Sequence, residues 1–209
     1  MKLYYSPGAC SIAVHIMLEE LGEPYQAEKV LTGDGSTRMK KHLSVNPKGQ
    51  VPVLDLEGEV LTEVSAIMLH LTLAYGANIN LDTSPNKLVR AVEWMNWLSS
   101  GVHAGPVTQC WNTARLTDDP DHHLSIQVKG RARLRDVFDL IEERMPKAGY
   151  ALGGFSSVDP CLLGYFRWGN RLGLDMRSDF PNWTVHCLQM LERPAVQMVL
   201  SKEELSVWE

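Results

Sequence analysis

The chain has 209 residues, 44% of them hydrophobic and 22% charged, with a formal net charge of −5. That is enough for one large domain or two small ones sharing an interface, with a sizeable apolar core. No Lys/Arg cluster provides the basic stripe that a nucleic-acid backbone binder needs, and no apolar run reaches membrane-spanning length.

Four cysteines, Cys10, Cys110, Cys161 and Cys187, form no CxxC pair and have no histidine at metal-ligand spacing, so neither a metal site nor a disulfide framework is expected. Pro7 interrupts the one leader-like run. The expectation is a cytoplasmic protein that binds neither nucleic acid nor membrane.

Leu3-Tyr4-Tyr5 reads as a short strand, broken by Ser6-Pro7-Gly8 and followed by an apolar helix from Ser11 to Leu21 that ends at Gly22. Cys10 and Ser11 therefore sit on the first turn of a helix. Free N–H groups and the positive dipole end gather there, and a thiol so placed is expected to have a lowered pKa. His15, in the middle of this helix, reads as a satisfied polar group at a core edge.

A possible second strand covers Tyr25 to Val30. A polar loop, Thr32 to Ser36, leads to a short basic irregular helix within Thr37–Leu43. In Asn46-Pro47-Lys48-Gly49-Gln50-Val51-Pro52-Val53, two prolines bracket a turn before a strand. Pro52 is a cis candidate that would leave the Val51 backbone free for an extended peptide ligand. Glu57-Gly58 turns the chain into Val60-Leu61-Thr62, and Glu63 leads to a helix over Ala66–Tyr75. The order β-α-β-α-β-β-α describes a small mixed sheet with helices packed on it.

Residues 79–85 read as a linker between a first domain, 1–78, and a second, 86–209. The second domain is all helix. It has one long helical pattern from Asn86 to about His103, then segments at Arg131–Met145, Pro160–Leu172, Pro181 to about Arg193, and one from Pro194. Ser156 and Asp159 fit a cap with its acidic partner three residues on. Trp94 and Trp97 read as core or interface, and Cys110, Cys161 and Cys187 as inert filler.

Five stretches taken in order, Met1 to Ser11, Asn46 to Pro52, Leu61-Thr62-Glu63, Phe155 to Asp159 and Glu192 to Val196, make the chain resemble a cytosolic glutathione transferase, the bacterial beta class in particular. The resemblance spans essentially the whole chain. It implies an α/β N-terminal thioredoxin-like domain plus an all-α C-terminal domain, a homodimer, and glutathione as co-substrate with no metal.

The resemblance also implies a glutathione site. It comprises Cys10, the Val51 backbone, Glu63 at the γ-glutamyl end and Val64, with Asn96 and the run Ser100-Gly101-Val102-His103 from the helical half. The family's serine or glycine is replaced by Val64, which can offer only its backbone N–H. The family's lysine after the second strand has no match around Asp34-Gly35, leaving Lys40 or Arg38 as stand-ins. Catalytic candidates are Cys10, His103 and Ser11, and Tyr5, Val107, Trp111, Tyr165 and Trp168 are candidates for a second-substrate pocket.

The leading activity is conjugation of the glutathione thiolate to small hydrophobic electrophiles. Two alternatives stand beside it: a glutathione-dependent thiol-disulfide or peroxide reductase using Cys10, and a non-catalytic carrier of glutathione or hydrophobic ligands.

Overall fold

A computed structural model describes residues 1–209. Strand β1 (Lys2–Tyr5) pairs in parallel with β2 (Gln26–Lys29) and antiparallel with β3 (Val53–Leu56), which pairs antiparallel with β4 (Glu59–Thr62). The order across the sheet is β2-β1-β3-β4. Glu57 and Gly58 both take positive φ, which matches the twist of a tight β3–β4 hairpin.

Helix α1 (Ser11–Leu21) is buried on nearly every side, so its apolar residues need no polar face. It stops at Gly22 in the left-handed conformation, as the sequence predicts. A 3₁₀ turn (Ser36–Arg38) and the single-turn α2 (Lys40–Leu43) form the irregular basic segment. Helix α3 (Val64–Tyr75) closes the α/β half, which has the expected element order.

A 3₁₀ turn (Gly76–Ile79) ends where the expected linker begins. Helix α4 (Pro85–Trp97) does not run on to His103. From Leu98 to Val107 the backbone widens into a π-helical segment, with non-helical angles at Gly105. Pro106 has no N–H to donate, and the Thr108 hydroxyl and N–H both turn back to the His103 carbonyl.

Next come α5 (Thr108–Trp111), α6 (His123–Arg144), α7 (Val158–Arg171), α8 (Met176–Asp179), α9 (Pro181–Leu191) and α10 (Pro194–Glu203). Helix α6 starts eight residues before Arg131, because His123–Gly130 carries on the same helical path with few buried side chains.

One core runs through both halves. Helix α1 packs on α3 within its own half and on α7 and α10 of the helical half. Gly164 permits the α1–α7 approach, since a Cβ there would stand 3.2 Å from Ile12 Cγ2.

The start of α7 is fixed by Asp159, which is 0% exposed. Its carboxylate accepts from the Ala151 N–H (3.0 Å), the Ser156 N–H and hydroxyl (2.8 Å each) and His186 Nε2 (2.9 Å). The Ser156 hydroxyl in turn accepts from the Val158 N–H at 3.3 Å. Replacing Asp159 by Ala would orphan these buried donors, so Asp159→Ala is expected to lower unfolding free energy by about 3–5 kcal/mol. Urea denaturation measures this, and a loss under about 1 kcal/mol would contradict the assignment.

Candidate functional site

Two helix N-termini meet the Val51–Pro52 segment that leads into β3, at the crevice between the halves. Cys10 is the N-cap of α1, and neither it nor the N-terminus of α3 receives a side-chain cap. The Val51–Pro52 bond is cis, as the sequence predicts. The Val51 carbonyl accepts from the Cys10 thiol at 3.6 Å, and its N–H meets no protein acceptor. The loop before it is held by the buried His42 and Asn46 side chains, which reach the Gln50 carbonyl at 3.0 and 2.9 Å.

Glu63 sits at φ +72°, a left-handed angle uncommon for a residue with a Cβ. Its carboxylate lies 2.5 Å from Lys48 Nζ, and that ammonium also donates to the Thr62 hydroxyl at 2.8 Å. With 62% of the Glu63 side chain exposed, this pair contributes little stability but gathers charge at the crevice rim. Arg38 donates to the Lys48 carbonyl at 3.2 Å and so flanks the same loop, while Lys40 stays exposed.

The crevice deepens into a narrow cavity of about 30 Å³ between α1, α4, the π segment and α7. Cys10, Val64, His103, Cys161, Tyr165 and Trp168 are among its walls. Tyr165 donates its hydroxyl to the Leu98 carbonyl at 2.8 Å. The Trp168 ring lies 4.8 Å from the His103 ring and 5.6 Å from the exposed Trp111 ring.

The remaining predicted residues fall elsewhere. Tyr5 packs on His15 at 4.8 Å, and Val107 is core. Ser11 is fully buried, its hydroxyl accepting from the Ser6 N–H and donating to the Ser6 carbonyl (3.1 Å each), so it holds the turn rather than lining the cavity. Asn96 and Ser100 are exposed, Val102 is buried, and Gly101 lies against Trp97.

Two expectations, for Cys10 and His15, need correction. The Cys10 thiol is not acidified. Burial first, and the Glu63 carboxylate as well, outweigh its own N–H and that of Ser11 and push it up to about 12. Cys161, read as inert filler, lines the same cavity as Cys10, and burial holds its thiol well above the ordinary value. His15 is not at a core edge: it is 1% exposed, with Nδ1 2.7 Å from Glu203 Oε1. His103 moves down from its ordinary value, through burial and the positive charge of Arg115.

Sequence reasoning missed the groups that hold the Cys10 turn. Gly8 donates its N–H to Glu203 Oε2 at 2.9 Å and accepts from the Trp168 indole at 2.8 Å. Its φ is +69°, and a Cβ would stand 2.6 Å from the Arg167 guanidinium. All three partners belong to the helical half, and Glu203 is 195 residues away, so no local pattern marks it.

Glu203→Ala would strand the Gly8 N–H and His15 Nδ1, with an expected stability loss of about 3 kcal/mol. Thermal and urea unfolding measure it, and a change within about 0.5 kcal/mol would show that Glu203 is not holding this turn.

Comparison with known proteins agrees with this geometry. Residues 8–73 match the family described as glutathione S-transferase, N-terminal domain. Glutathione S-transferase GstA of Escherichia coli O157:H7 is 32% identical, covering 98% of this chain and all of the relative. A glutathione transferase homologue from Sulfitobacter, solved with bound glutathione, superposes with a TM-score of 0.90 at 28% identity over 98% of each chain. The bacterial beta-class enzyme of Sphingomonas chungbukensis gives 0.82 at 30% identity, covering 99% of this chain and all of that one. By sequence over its whole length and by fold, this chain belongs to the glutathione S-transferase family.

Proposed function

We propose that the crevice beside Cys10 binds glutathione and that the protein transfers its thiolate to small hydrophobic electrophiles lodged against the apolar cavity. The observation carrying this reading is the meeting, at one crevice, of two uncapped helix N-termini, a Val51 N–H without a protein acceptor and the Glu63 carboxylate. Bare N–H groups at the start of α3 suit the γ-glutamyl carboxylate, Glu63 suits the ammonium, and the Val51 N–H and carbonyl suit the cysteinyl backbone.

Activation of the bound thiol divides between two uncharged groups. With its pKa near 12, Cys10 is a protonated thiol at neutral pH and offers an S–H donor to the glutathione sulfur. Burial and Arg115 leave His103 a neutral imidazole, able to accept the thiol proton. A reductase that attacks through the Cys10 thiolate would need the opposite shift at residue 10.

His103→Ala is therefore expected to reduce kcat/KM by about a hundredfold. A base whose pKa is depressed stays active further into acid, so the acidic limb of the pH–rate profile should lie below the ordinary histidine value near 6.5. Arg115→Gln removes a positive charge and should move that limb upward. An unchanged limb in His103→Ala would remove His103 from the reaction. Cys10→Ala should keep part of the transferase rate, and complete loss of disulfide exchange with retained transfer would separate the two chemistries.

We infer a homodimer as well. Leu73 of α3 and Val89 of α4 are largely exposed on helices that pack together, and such apolar surface suits an isologous contact. Sedimentation of a single monomeric species would overturn it. No helix is long and apolar enough to cross a membrane.

A further inference from the structure

Lys48 is absent from the site that the resemblance implies, yet its side chain joins the cis-proline loop to the start of α3. Its Nζ lies 2.5 Å from Glu63 Oε1 and donates to the Thr62 hydroxyl at 2.8 Å. Thr62 ends β4 and Glu63 directly precedes α3, so this ammonium stands beside an uncapped helix N-terminus. The Lys48 backbone is held independently of its side chain. Its N–H donates to Oδ1 of the buried Asn46 at 3.1 Å, and its carbonyl accepts from Arg38 at 3.2 Å.

Hydrogen-bonding capacity is left over on both members of the pair. An ammonium carries three donors, and Lys48 uses one on Glu63 and one on Thr62. A carboxylate has two oxygens, and Lys48 engages only Oε1 of Glu63. The two side chains are 49% and 62% exposed, so the remaining donor and the remaining oxygen are open to a ligand in the crevice. An ion pair so exposed adds little to folding, which leaves the left-handed φ of Glu63 without a stabilising return in the unliganded protein.

We infer that Lys48 and Glu63 together form a receptor for a free α-amino-acid group, Glu63 taking its ammonium and Lys48 its carboxylate. The inference rests on the glutathione reading and adds Lys48 to the contacts of the γ-glutamyl end. The two charges of an α-amino acid sit on one carbon, so a contacting pair of opposite charges can meet both at once. A ligand with only one of those charges gains one partner and is repelled by the other. The pair therefore selects thiols whose γ-glutamyl end is unmodified.

The test is calorimetric titration of the full-length protein with three thiols. These are glutathione, its ethyl ester at the glycine carboxylate, and an analogue with 4-aminobutyryl in place of γ-glutamyl, which keeps the ammonium and lacks the α-carboxylate. Lys48→Met is expected to raise the Kd of glutathione and of the ester about fivefold, and that of the analogue by less than about twofold. Lys48→Arg, which keeps the charge, should stay within about twofold of the unsubstituted protein for glutathione. Both substitutions leave the Lys48 N–H and carbonyl, which fix the loop, in place.

An equal loss for all three thiols in Lys48→Met would mean a disturbed loop and would overturn the inference. Unchanged or tighter glutathione binding would overturn it too, since Lys48 would then only occupy Glu63. A loss for glutathione that spares the ester would assign Lys48 to the glycine carboxylate instead. No binding of glutathione by the unsubstituted protein would remove the glutathione reading itself, and this inference with it. Failure to transfer glutathione to a chlorodinitrobenzene, with the binding pattern intact, would count against the transferase reading alone.

Discussion

Gly8 is the point on which the two halves of the molecule depend. Its N–H goes to Glu203 and its carbonyl receives the Trp168 indole, so both polar groups of one peptide unit are satisfied from the helical half. Buried backbone groups cannot be left unpaired without cost, so the turn before α1 has no good alternative partner in the α/β half. At its left-handed φ a residue with a Cβ would be strained, and that Cβ would stand 2.6 Å from the Arg167 guanidinium. Cys10, two residues on, is therefore positioned as much by α7 and α10 as by its own strand and helix. The wall of the cavity and the clamp on the Cys10 turn are built from the same helix, α7, through Cys161, Tyr165, Arg167 and Trp168. A change in that helix is felt at the turn and at the cavity wall together.

Much of this was legible in the sequence where the signal is local. The strand-to-helix turn at Ser6–Ser11, the Gly22 stop, the cis bond at Val51–Pro52, the hairpin at Glu57-Gly58 and the Ser156–Asp159 cap each follow from residues a few positions apart, and each stands as expected. What the sequence hid depends on distance or on burial. Glu203 and His15 are 188 residues apart, and nothing at either position announces the other. The π segment was hidden for a different reason. Asn86 to His103 has an apolar rhythm that suits a helix, but Gly101, Gly105 and Pro106 loosen the ladder enough to admit the wider turn.

The Cys10 thiol shows how a sound local rule can lose. A helix N-terminus does lower a thiol's pKa, and the N–H groups of Cys10 and Ser11 act in that direction here. They are two partial charges at the edge of a crevice lined largely by apolar side chains, with a carboxylate on the far side. Desolvation of the thiolate outweighs them. A one-unit shift corresponds to about 1.4 kcal/mol, so an outcome near 12 needs only a few kilocalories of imbalance between burial and donors. Sequence shows the donors but not the depth, which is set by Val64, Cys161 and Tyr165 from other elements.

The same balance explains why His103 suits this site. It lines the cavity on a segment whose carbonyl is tied to Thr108, so the wide turn has a fixed register rather than a loose one. Packing against Trp168 strips water from one face of the ring, and Arg115 adds a like charge beyond it, and both disfavour the imidazolium. A protonated thiol and an unprotonated imidazole then line one cavity at neutral pH. In the proposed reaction an incoming thiol would meet a donor for its sulfur and an acceptor for its proton, without either group first having to change its charge. Charge developing on that sulfur would appear where helix dipoles and bare N–H groups already point.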